Sequence, residues 1–283
     1  MDGFLFIDKP KGMTSQSVCN RIRKSFNIKK VGHIGTLDPF ATGLLIVSLN
    51  KATKCEMFLS GDDKEYIATL KLGSKTSTGD IEGEVTESKE VKQYSIEEIK
   101  EALNSFLGES YQLPPMTSAI KINGQKLYEL AHKGKEIDRP KRLIKVHEIS
   151  LISYQDDIIV FKAKVSKGTY LRTLGEDIAL KLGTVGHLIE LRRSKVGPYK
   201  IEDSKPLDEI SLNDIKSTFD VLKEDALVKE FDEAMIKDIK DGKINYLLED
   251  SKFDKILVIN HSHEVIAMYI KEDDKYIFRR GLF

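Results

Sequence analysis

Short apolar runs alternate with segments of helical periodicity over the first part of the chain. Phe4 to Ile7 is a short apolar run that ends at Asp8, and it predicts a first strand. Thr14 or Ser15 can cap a following helix, because apolar residues recur after them at helical spacing. These residues are Val18, Ile22 and Phe26. The next apolar run, residues 44–49, predicts another strand.

Strand and helix signals continue to Gly183. Alternation over residues 66–72 predicts a strand. Ser95 and Glu98 form a capping box, which predicts a helix from there to Gly108. Further predicted elements are strands at about residues 143–153 and 158–166, a turn at Asp156-Asp157 between them, and a helix over residues 169–182. Antiparallel signals dominate this mixture, so the chain is predicted to be α+β.

Two segments do not fit a regular element. Residues 32–43 contain too many glycines for a helix or a strand, yet an apolar run follows them directly, so we expect an ordered loop. Farther along, the hairpin signal Asn123-Gly124 is followed by a short helical stretch at 127–132 and then by basic, irregular sequence. We interpret residues 119–145 as an insertion.

The composition changes after Pro206, where the chain becomes acidic and helical. Three short strands are then predicted, at residues 256–259, 265–270 and 276–278. We therefore predict two domains, comprising residues 1–225 and 226–283.

Charge is unevenly distributed although the totals balance, with 45 Lys and Arg against 45 Asp and Glu. Residues 21–30 carry five basic residues and no acid, and residues 121–145 carry eight basic residues and three acids. Residues 202–255 have nine lysines and sixteen acids, a net charge of −7. We expect a cationic surface, and any polyanionic partner, on the first 200 residues. Either patch alone would also fit a solvated helix face.

The sequence gives no sign of a metal centre or a membrane segment. Cys19 and Cys55 are too few and too far apart for a zinc knuckle or a disulfide framework, and the six histidines form no ligand spacing. The N-terminal residues lack the order of a signal peptide, and no apolar run reaches membrane length. These features predict a soluble cytoplasmic protein without a metal and without membrane association.

Asp38 is the candidate catalytic residue of the glycine-rich segment. Pro39 fixes its own φ and pushes Asp38 toward extended geometry, so the carboxylate has a rigid local backbone. From spacing alone, Asp38 as a turn cap and His33 as an ordinary loop histidine fit equally well. A phosphate-binding loop fits less well, because the Walker Gly-Lys-Ser/Thr ending is absent.

The segment belongs to an ordered series of motifs. Gly32-His33-x-Gly35-Thr36-Leu37-Asp38-Pro39-x-Ala41-Thr42-Gly43 resembles the catalytic motif of the bacterial tRNA pseudouridine synthase B family. Matches elsewhere keep the family's chain order: Asp8-Lys9-Pro10-x-Gly12-Met13-Thr14-Ser15, Lys64-x-Tyr66, Pro114-Pro115-Met116-x-Ser118-Ala119, Ser166-Lys167-Gly168-Thr169-Tyr170-Leu171-Arg172-Thr173-Leu174, and Leu191-Arg192-Arg193 with Gly197. Together they span residues 3–200, and six motifs in one order are not a chance match.

The resemblance implies a set of site residues. The family's catalytic aspartate falls on Asp38, its active-site tyrosine on Tyr66, and the arginine that pairs with the aspartate on Arg172. Substrate-binding positions fall on His33, Tyr170, Leu191 and Lys9. One departure is Thr117, where the family more often has an aromatic residue.

The resemblance also implies a fold and its RNA contacts. The family has a mixed, mainly antiparallel central sheet, a thumb-like RNA-binding insertion and a small β-rich, PUA-like domain at the C-terminus. Here the insertion corresponds to residues 119–145. Lys133, Lys135 and Lys141 are its candidate phosphate contacts.

The implied reaction isomerises a uridine of the tRNA T-loop, after the base is flipped out of its stack. The reaction oxidises nothing, so no cofactor is expected. It needs an ionised carboxylate beside the ribose, as a nucleophile or as a base that removes a ribose proton. Pairing with Arg172 is expected to hold the pKa of Asp38 below its usual value of about 3.9. Tyr66 would stack on the uracil.

The expected partner is the T-arm of tRNA, bound by a monomer without an obligate protein partner. Two alternatives stay open. One is a non-catalytic RNA-binding module that folds tRNA, a role the family also combines with catalysis. The other is a guide-RNA-dependent relative that acts inside a ribonucleoprotein.

Overall fold

The computed structural model describes residues 1–59, 63–118, 120–122, 124–127, 130, 134–135, 137–243, 246–247, 253–273 and 275–283. Its helices are α1 (Ser15–Ser25), α2 (Glu56–Leu59), α3 (Ile96–Asn104), α4 (Leu171–Lys181), α5 (Thr218–Leu222) and α6 (Glu233–Lys240). Its strands are β1 (Gly3–Lys9), β2 (Val31–Ile34), β3 (Thr42–Leu49), β4 (Lys64–Leu72), β5 (Ser74–Thr76), β6 (Val85–Ser88), β7 (Gly108–Gln112), β8 (Lys121–Ile122), β9 (Gln125–Lys126), β10 (Arg142–Gln155), β11 (Ile158–Val165), β12 (Gly186–Val196), β13 (Tyr199–Lys200), β14 (Lys205–Pro206), β15 (Leu227–Glu230), β16 (Tyr246–Leu247), β17 (Lys255–Ile259), β18 (Val265–Glu272) and β19 (Lys275–Gly281).

A large mixed sheet runs through the first 206 residues. Its strand order is β14-β1-β3-β12-β4-β11-β10-β7, with β2 added beside β3 and β13 beside β12. The pairings are antiparallel except for β1 with β14 and β3 with β12. The predicted α+β class with a mixed, mainly antiparallel sheet is confirmed.

Helices cover one face of this sheet. Thr14 caps α1 through its side chain, and Ser95 with Glu98 completes the predicted capping box of α3, an interaction typically worth about 1 kcal/mol. The buried sides of α1, α3 and α4 pack on the sheet in one core that also contains Leu5 and Ile7 of β1. Leu37 and Phe40, from the segment between β2 and β3, also lie in this core.

A second sheet covers part of the opposite face. Its order is β15-β17-β18-β19-β16, and α6 packs on it. Phe4 and Phe6 of β1 lie in one core with Leu257 and Met268 of this sheet. Because both faces of β1 are buried, residues 4–7 form a continuous apolar run instead of an alternating one. The sheet begins at Leu227, and the division at residues 225 and 226 stays a prediction.

Most of the predicted elements occur, with several differences. Residues 32–34 are not loop but part of β2, whose glycine permits a close approach to Glu56. Helix α3 ends at Asn104, and Gly108 begins β7 instead of stopping the helix. Strand β12 was not predicted. The helical stretch predicted at 127–132 lies largely outside the described residues.

Short turns follow the sequence signals closely. β8 and β9 pair across Asn123-Gly124, of which Gly124 is described, as the hairpin signal predicted. Asp156 and Asp157 both have positive φ, 49° and 63°, which matches a tight hairpin between β10 and β11. Within the described part of the chain, no helix is long and apolar enough to cross a membrane.

Candidate active site

Asp38 lies on the loop between β2 and β3, and hydrogen bonds from neighbouring segments hold that loop in place. The Ser15 hydroxyl at the start of α1 donates to the Leu37 carbonyl and accepts from the Leu37 amide, at 3.1 and 2.8 Å. The Gly12 amide donates to the Pro39 carbonyl at 2.8 Å. The backbone on both sides of Asp38 is therefore fixed by the segment that joins β1 to α1.

Lys9 is fully buried beneath the same loop. Its Nζ donates to the carbonyls of Pro10, Met13 and Pro39 at 3.0, 2.6 and 3.3 Å. Burial lowers the pKa of Lys9 to about 8, although the nearby Asp38 charge opposes the change. With no exposed surface, the ammonium anchors the loop. The predicted part of Lys9 in substrate binding stays a prediction.

Arg193 braces the other side of the loop from β12. Its Nε donates to the Leu44 carbonyl at 2.8 Å and its Nη2 to the Gly35 carbonyl at 2.9 Å, while the side chain is 1% exposed. Gly43 lies against the backbone of Arg193, where an added Cβ would be 2.3 Å from the Arg193 carbonyl oxygen. With its φ of +104°, Gly43 therefore has to be glycine.

Arg172 reaches Asp38 from the first turn of α4. Gln112 of β7 fixes the start of this helix, because its side-chain amide accepts from the Tyr170 N–H at 2.8 Å and donates to the Tyr170 carbonyl at 3.1 Å. The Arg172 side chain is 4% exposed, whereas that of Asp38 is 32% exposed. The arginine is thus buried, and the carboxylate that it contacts is partly exposed to solvent.

The contact between Arg172 and Asp38 is an ion pair with one long hydrogen bond. Arg172 Nε lies 3.0 Å from Asp38 Oδ2, but its N–H is not aligned with a hydrogen-bond acceptor. Arg172 Nη2 donates to Asp38 Oδ1 at 3.4 Å. Catalytic hydrogen bonds are often this loose without substrate.

Asp80 is a second carboxylate on the same arginine, and it was not among the predicted site residues. Its Oδ2 lies 3.4 Å from Arg172 Nη1, and the side chain is 4% exposed. Its Oδ1 accepts from the Thr78 hydroxyl at 2.6 Å and from the Glu82 amide at 3.0 Å. Arg172 therefore lies between two carboxylates, one buried and one partly exposed.

This arrangement reverses the expected pKa shift of Asp38. The sequence argument put the pKa below the usual value because of Arg172, but the pKa is raised. Burial is the largest cause, and the Asp80 charge adds to it, while Arg172 and Lys9 oppose it. The sequence argument counted the cation and could not count the burial or the second acid.

Tyr66 is joined to the loop through Arg193. The two residues pair across β4 and β12, and the Arg193 side chain bonds the loop at Gly35. Tyr66 is 8% exposed, and Leu191, also on β12, is 6% exposed and lies in the same core. Their part in substrate binding stays a prediction.

His33 precedes Asp38 by five residues, and Tyr170 precedes Arg172 by two. His33 is on β2, and burial, with a smaller effect of the Arg193 charge, lowers its pKa, so the imidazole is neutral at pH 7. Its Nδ1 is buried and has no hydrogen-bond partner among the described residues. Tyr170 immediately precedes α4, and burial raises the pKa of its phenol. Both side chains are half-buried.

The predicted phosphate contacts are only partly described. Lys135 and Lys141 are exposed, and Lys133 lies outside the described residues. The first basic patch is exposed along α1 and the following turn, at Arg21, Arg23, Lys24, Lys29 and Lys30. Among the described residues, no cluster of three or more His, Cys, Asp or Glu side chains could hold a metal ion.

Comparison with known proteins identifies the fold and family. A sequence profile for the N-terminal domain of the TruB family of pseudouridylate synthases matches residues 23–171. The chain belongs to this family. A profile for the C-terminal domain of tRNA pseudouridylate synthase B matches residues 172–237 of this TruB-family chain.

Curated relatives of the TruB family match almost the whole chain. The tRNA pseudouridine synthase B of Aquifex aeolicus is 40% identical over 279 residues, which cover 98% of this chain and 94% of the relative. That of Francisella philomiragia is 38% identical over 281 residues, which cover 98% of this chain and 90% of the relative. The resemblance read from the motifs is confirmed, and the chain is a pseudouridine synthase.

Solved structures support the same fold. A chain in the crystal structure of a Cbf5-Nop10-Gar1 complex superposes with a TM-score of 0.74 at 24% identity, covering 99% of this chain and 85% of that chain. A chain in the structure of an H/ACA RNP bound to a substrate RNA containing 2'-deoxyuridine gives 0.73 at 22% identity, with 99% and 85% covered. At this identity the likeness is one of fold.

Proposed function

We propose that the chain is a tRNA pseudouridine synthase that isomerises a T-loop uridine, with Asp38 as the catalytic group. One observation carries the proposal. A buried arginine, Arg172, holds the partly exposed carboxylate of Asp38 on a loop that three neighbouring segments fix. A binding surface for RNA alone has no need of an immobilised carboxylate. The family and the names of the curated relatives point to the same reaction.

The reaction breaks the bond between the uracil nitrogen and the ribose, turns the ring, and joins the ribose to carbon 5. Asp38 takes part as its carboxylate, attacking the ribose or removing a proton from it, and is released unchanged at the end. The carbon 5 proton leaves when the new bond forms, and the ring nitrogen gains one. Atoms and charge balance without an oxidant, a reductant or a cofactor.

Arg172 and Tyr66 have separate parts in this proposal. Arg172 holds the Asp38 carboxylate toward the ribose and opposes the rise in its pKa, so that the ionised form is available. Tyr66 stacks on the flipped uracil, a contact that typically contributes about 1–3 kcal/mol per base and offsets the cost of leaving the stack. His33, Tyr170 and Leu191 surround the base.

RNA binding rests on the two basic surfaces. The exposed cations at residues 21–30 and on the insertion contact phosphates of the T-arm. Such contacts recognise the shape of the RNA loop more than its sequence. The enzyme binds tRNA as a monomer without a protein partner and works in the cytoplasm. The small sheet from Leu227 onward is a PUA-like RNA-binding domain.

The test of catalysis is Asp38→Asn. Asparagine keeps the size of the side chain but removes the charge that either chemical role requires. Losing a central nucleophile typically costs on the order of a millionfold in turnover, so no product is expected in a single-turnover assay. Affinity for tRNA should change by less than about tenfold, or ~1.4 kcal/mol. Asp156→Asn, in an exposed turn, is the matched control and should behave as the unchanged protein.

Other results of these assays would contradict the role of Asp38 or favour one of the two alternative functions. Appreciable pseudouridine from the Asp38→Asn variant would remove Asp38 from the chemistry, and joint loss of binding and turnover would make the aspartate structural. A non-catalytic tRNA-folding protein would produce no pseudouridine from an unmodified T-arm transcript. A guide-dependent enzyme would produce it only after a guide RNA is added.

A further inference from the structure

The loop between β7 and the insertion contacts Arg172 directly. This loop, Pro114–Ser118, follows β7 and is fastened at its start by Arg139, whose Nε donates to the Pro114 carbonyl at 2.5 Å. At its other end, Thr117 lies against Arg172. The loop therefore connects the base of the insertion to the ion pair that holds Asp38.

Thr117 receives two of the hydrogen bonds that Arg172 donates. Arg172 Nη1 donates to the Thr117 hydroxyl at 2.5 Å, and Nη2 donates to the Thr117 carbonyl at 3.1 Å. The remaining terminal N–H groups go to the Thr78 carbonyl at 2.9 Å and to Asp38 at 3.4 Å. The shorter contacts thus fall on Thr117 and Thr78, and the longest falls on the catalytic carboxylate.

We propose that Thr117 is a positioning residue of the reaction, whose hydroxyl fixes the Arg172 guanidinium in the orientation that pairs with Asp38. This inference rests on the proposed function and adds to it a residue that does not touch the substrate. Position 117 is also where the chain departs from the family motif, which more often has an aromatic residue there.

The position of Asp80 explains why the hydroxyl matters. Arg172 Nη1 contacts both the Thr117 hydroxyl and Asp80 Oδ2, at 2.5 and 3.4 Å. Without the hydroxyl, Nη1 loses one of these partners and keeps the buried carboxylate of Asp80. The guanidinium then moves toward Asp80, and its long hydrogen bond to Asp38 weakens further.

The experiment compares Thr117→Val with Thr117→Ser. Valine keeps the shape of threonine and removes the hydroxyl, and serine keeps the hydroxyl. Hydrogen bonds to charged groups are typically strong enough that losing one lowers a rate by about ten- to a hundredfold. The single-turnover rate of Thr117→Val should fall by at least about tenfold, with tRNA affinity nearly unchanged, and Thr117→Ser should restore most of the rate. Thr184→Val, which removes a buried hydroxyl bonded to the Glu90 carbonyl, is the control for the same change elsewhere.

A double-mutant cycle with Arg172→Lys separates positioning from packing. If Thr117 acts through the arginine, Thr117→Val should add little to the loss already caused by Arg172→Lys. A full additional loss in that background, or failure of serine to restore the rate, would overturn the proposal. So would an unchanged rate in Thr117→Val. Thermal unfolding of each variant excludes loss of fold, and if the unchanged protein made no pseudouridine, the proposed function itself would fail first.

Discussion

Arg172 contacts two carboxylates, and its planar fork is what allows both contacts. The guanidinium places Nη1 near Asp80 and presents Nε and Nη2 to the two oxygens of Asp38. Lysine would keep the positive charge but not the geometry, because its donors radiate from a single nitrogen. At this residue, shape matters as much as charge.

Arg172→Lys should therefore be strongly damaging. We expect a loss of at least about a hundredfold in the single-turnover rate, since two directed contacts of a buried charge are disrupted together. Binding of tRNA should stay within a few-fold of the unchanged protein. Near-normal turnover by a folded Arg172→Lys protein would exclude the pair from the mechanism.

The pH dependence follows from the shifted pKa values of Asp38 and Lys9. The raised pKa of Asp38 means that the ionised form is lost at a higher pH than for an ordinary aspartate as pH falls, so the acid limb of the single-turnover rate is shifted upward. The groups facing Asp38 are Arg172, Lys9, Asp80 and Glu82. Lys9, with a pKa of about 8, loses its third N–H donor above that pH while three carbonyls still face it. The rate should then fall again on the alkaline side.

Two variants assign these limbs. Asp80→Asn removes a charge that raises the pKa of Asp38, so the acid limb should move to lower pH, whatever the change in the maximum rate. An acid limb that stays in place in Asp80→Asn would contradict the assignment to Asp38, provided that tRNA binding is measured at each pH.

The Lys9→Met variant has no side-chain proton to lose at position 9, so the fall in rate near pH 8 should disappear.

At the scale of elements, the insertion tests whether a basic surface is functional. Lys135 and Lys141 are exposed and should contact phosphates. Changing both to glutamate should weaken tRNA binding and flatten its salt dependence, by somewhat under one unit of the log-log slope for each lost contact. Lys100 and Lys181, exposed on α3 and α4, are the matched control pair. An unchanged slope would mean that the insertion is an ordinary solvated face.

The sequence predicted elements best where a local rule determines them. The capping box of α3, the hairpin at Asp156-Asp157 and the apolar run of β1 all have signals within a few residues. Strand β12 was missed because charged residues interrupt its pattern. One of these charged residues, Arg193, is buried and donates hydrogen bonds to the carbonyls of Leu44 and Gly35, and no local sequence pattern reveals these partners.

The same reasoning explains which site residues were found. Asp38 and Arg172 lie in motifs with a characteristic local sequence, so each was recognised without its partner. Asp80 lies in a short irregular segment, and its importance arises from contact with Arg172, 92 positions away along the sequence. The contact of Thr117 with Arg172 likewise depends on side-chain geometry across 55 residues.

At the scale of the whole molecule, distant parts of the chain build the large sheet. β1 pairs with β14, near residue 205, and β3 pairs with β12, near residue 192. The second sheet then packs on β1 and β3 through the core that contains Phe4 and Phe6. The N-terminal segment therefore has no complete set of partners until most of the chain is present.

This long-range pairing has a consequence for the enzyme while it is being synthesised. Asp38 and Arg172 are 134 residues apart, and Arg193, which braces the Asp38 loop, comes later still. At roughly 5–20 residues per second, a ribosome takes about eight to thirty seconds between making Asp38 and making Arg193. During that interval the nascent chain carries the aspartate without the arginine that holds it or the strand that completes its sheet. Until Arg193 has been made and exposed, the nascent chain thus lacks both the ion pair and the strand that hold the Asp38 loop.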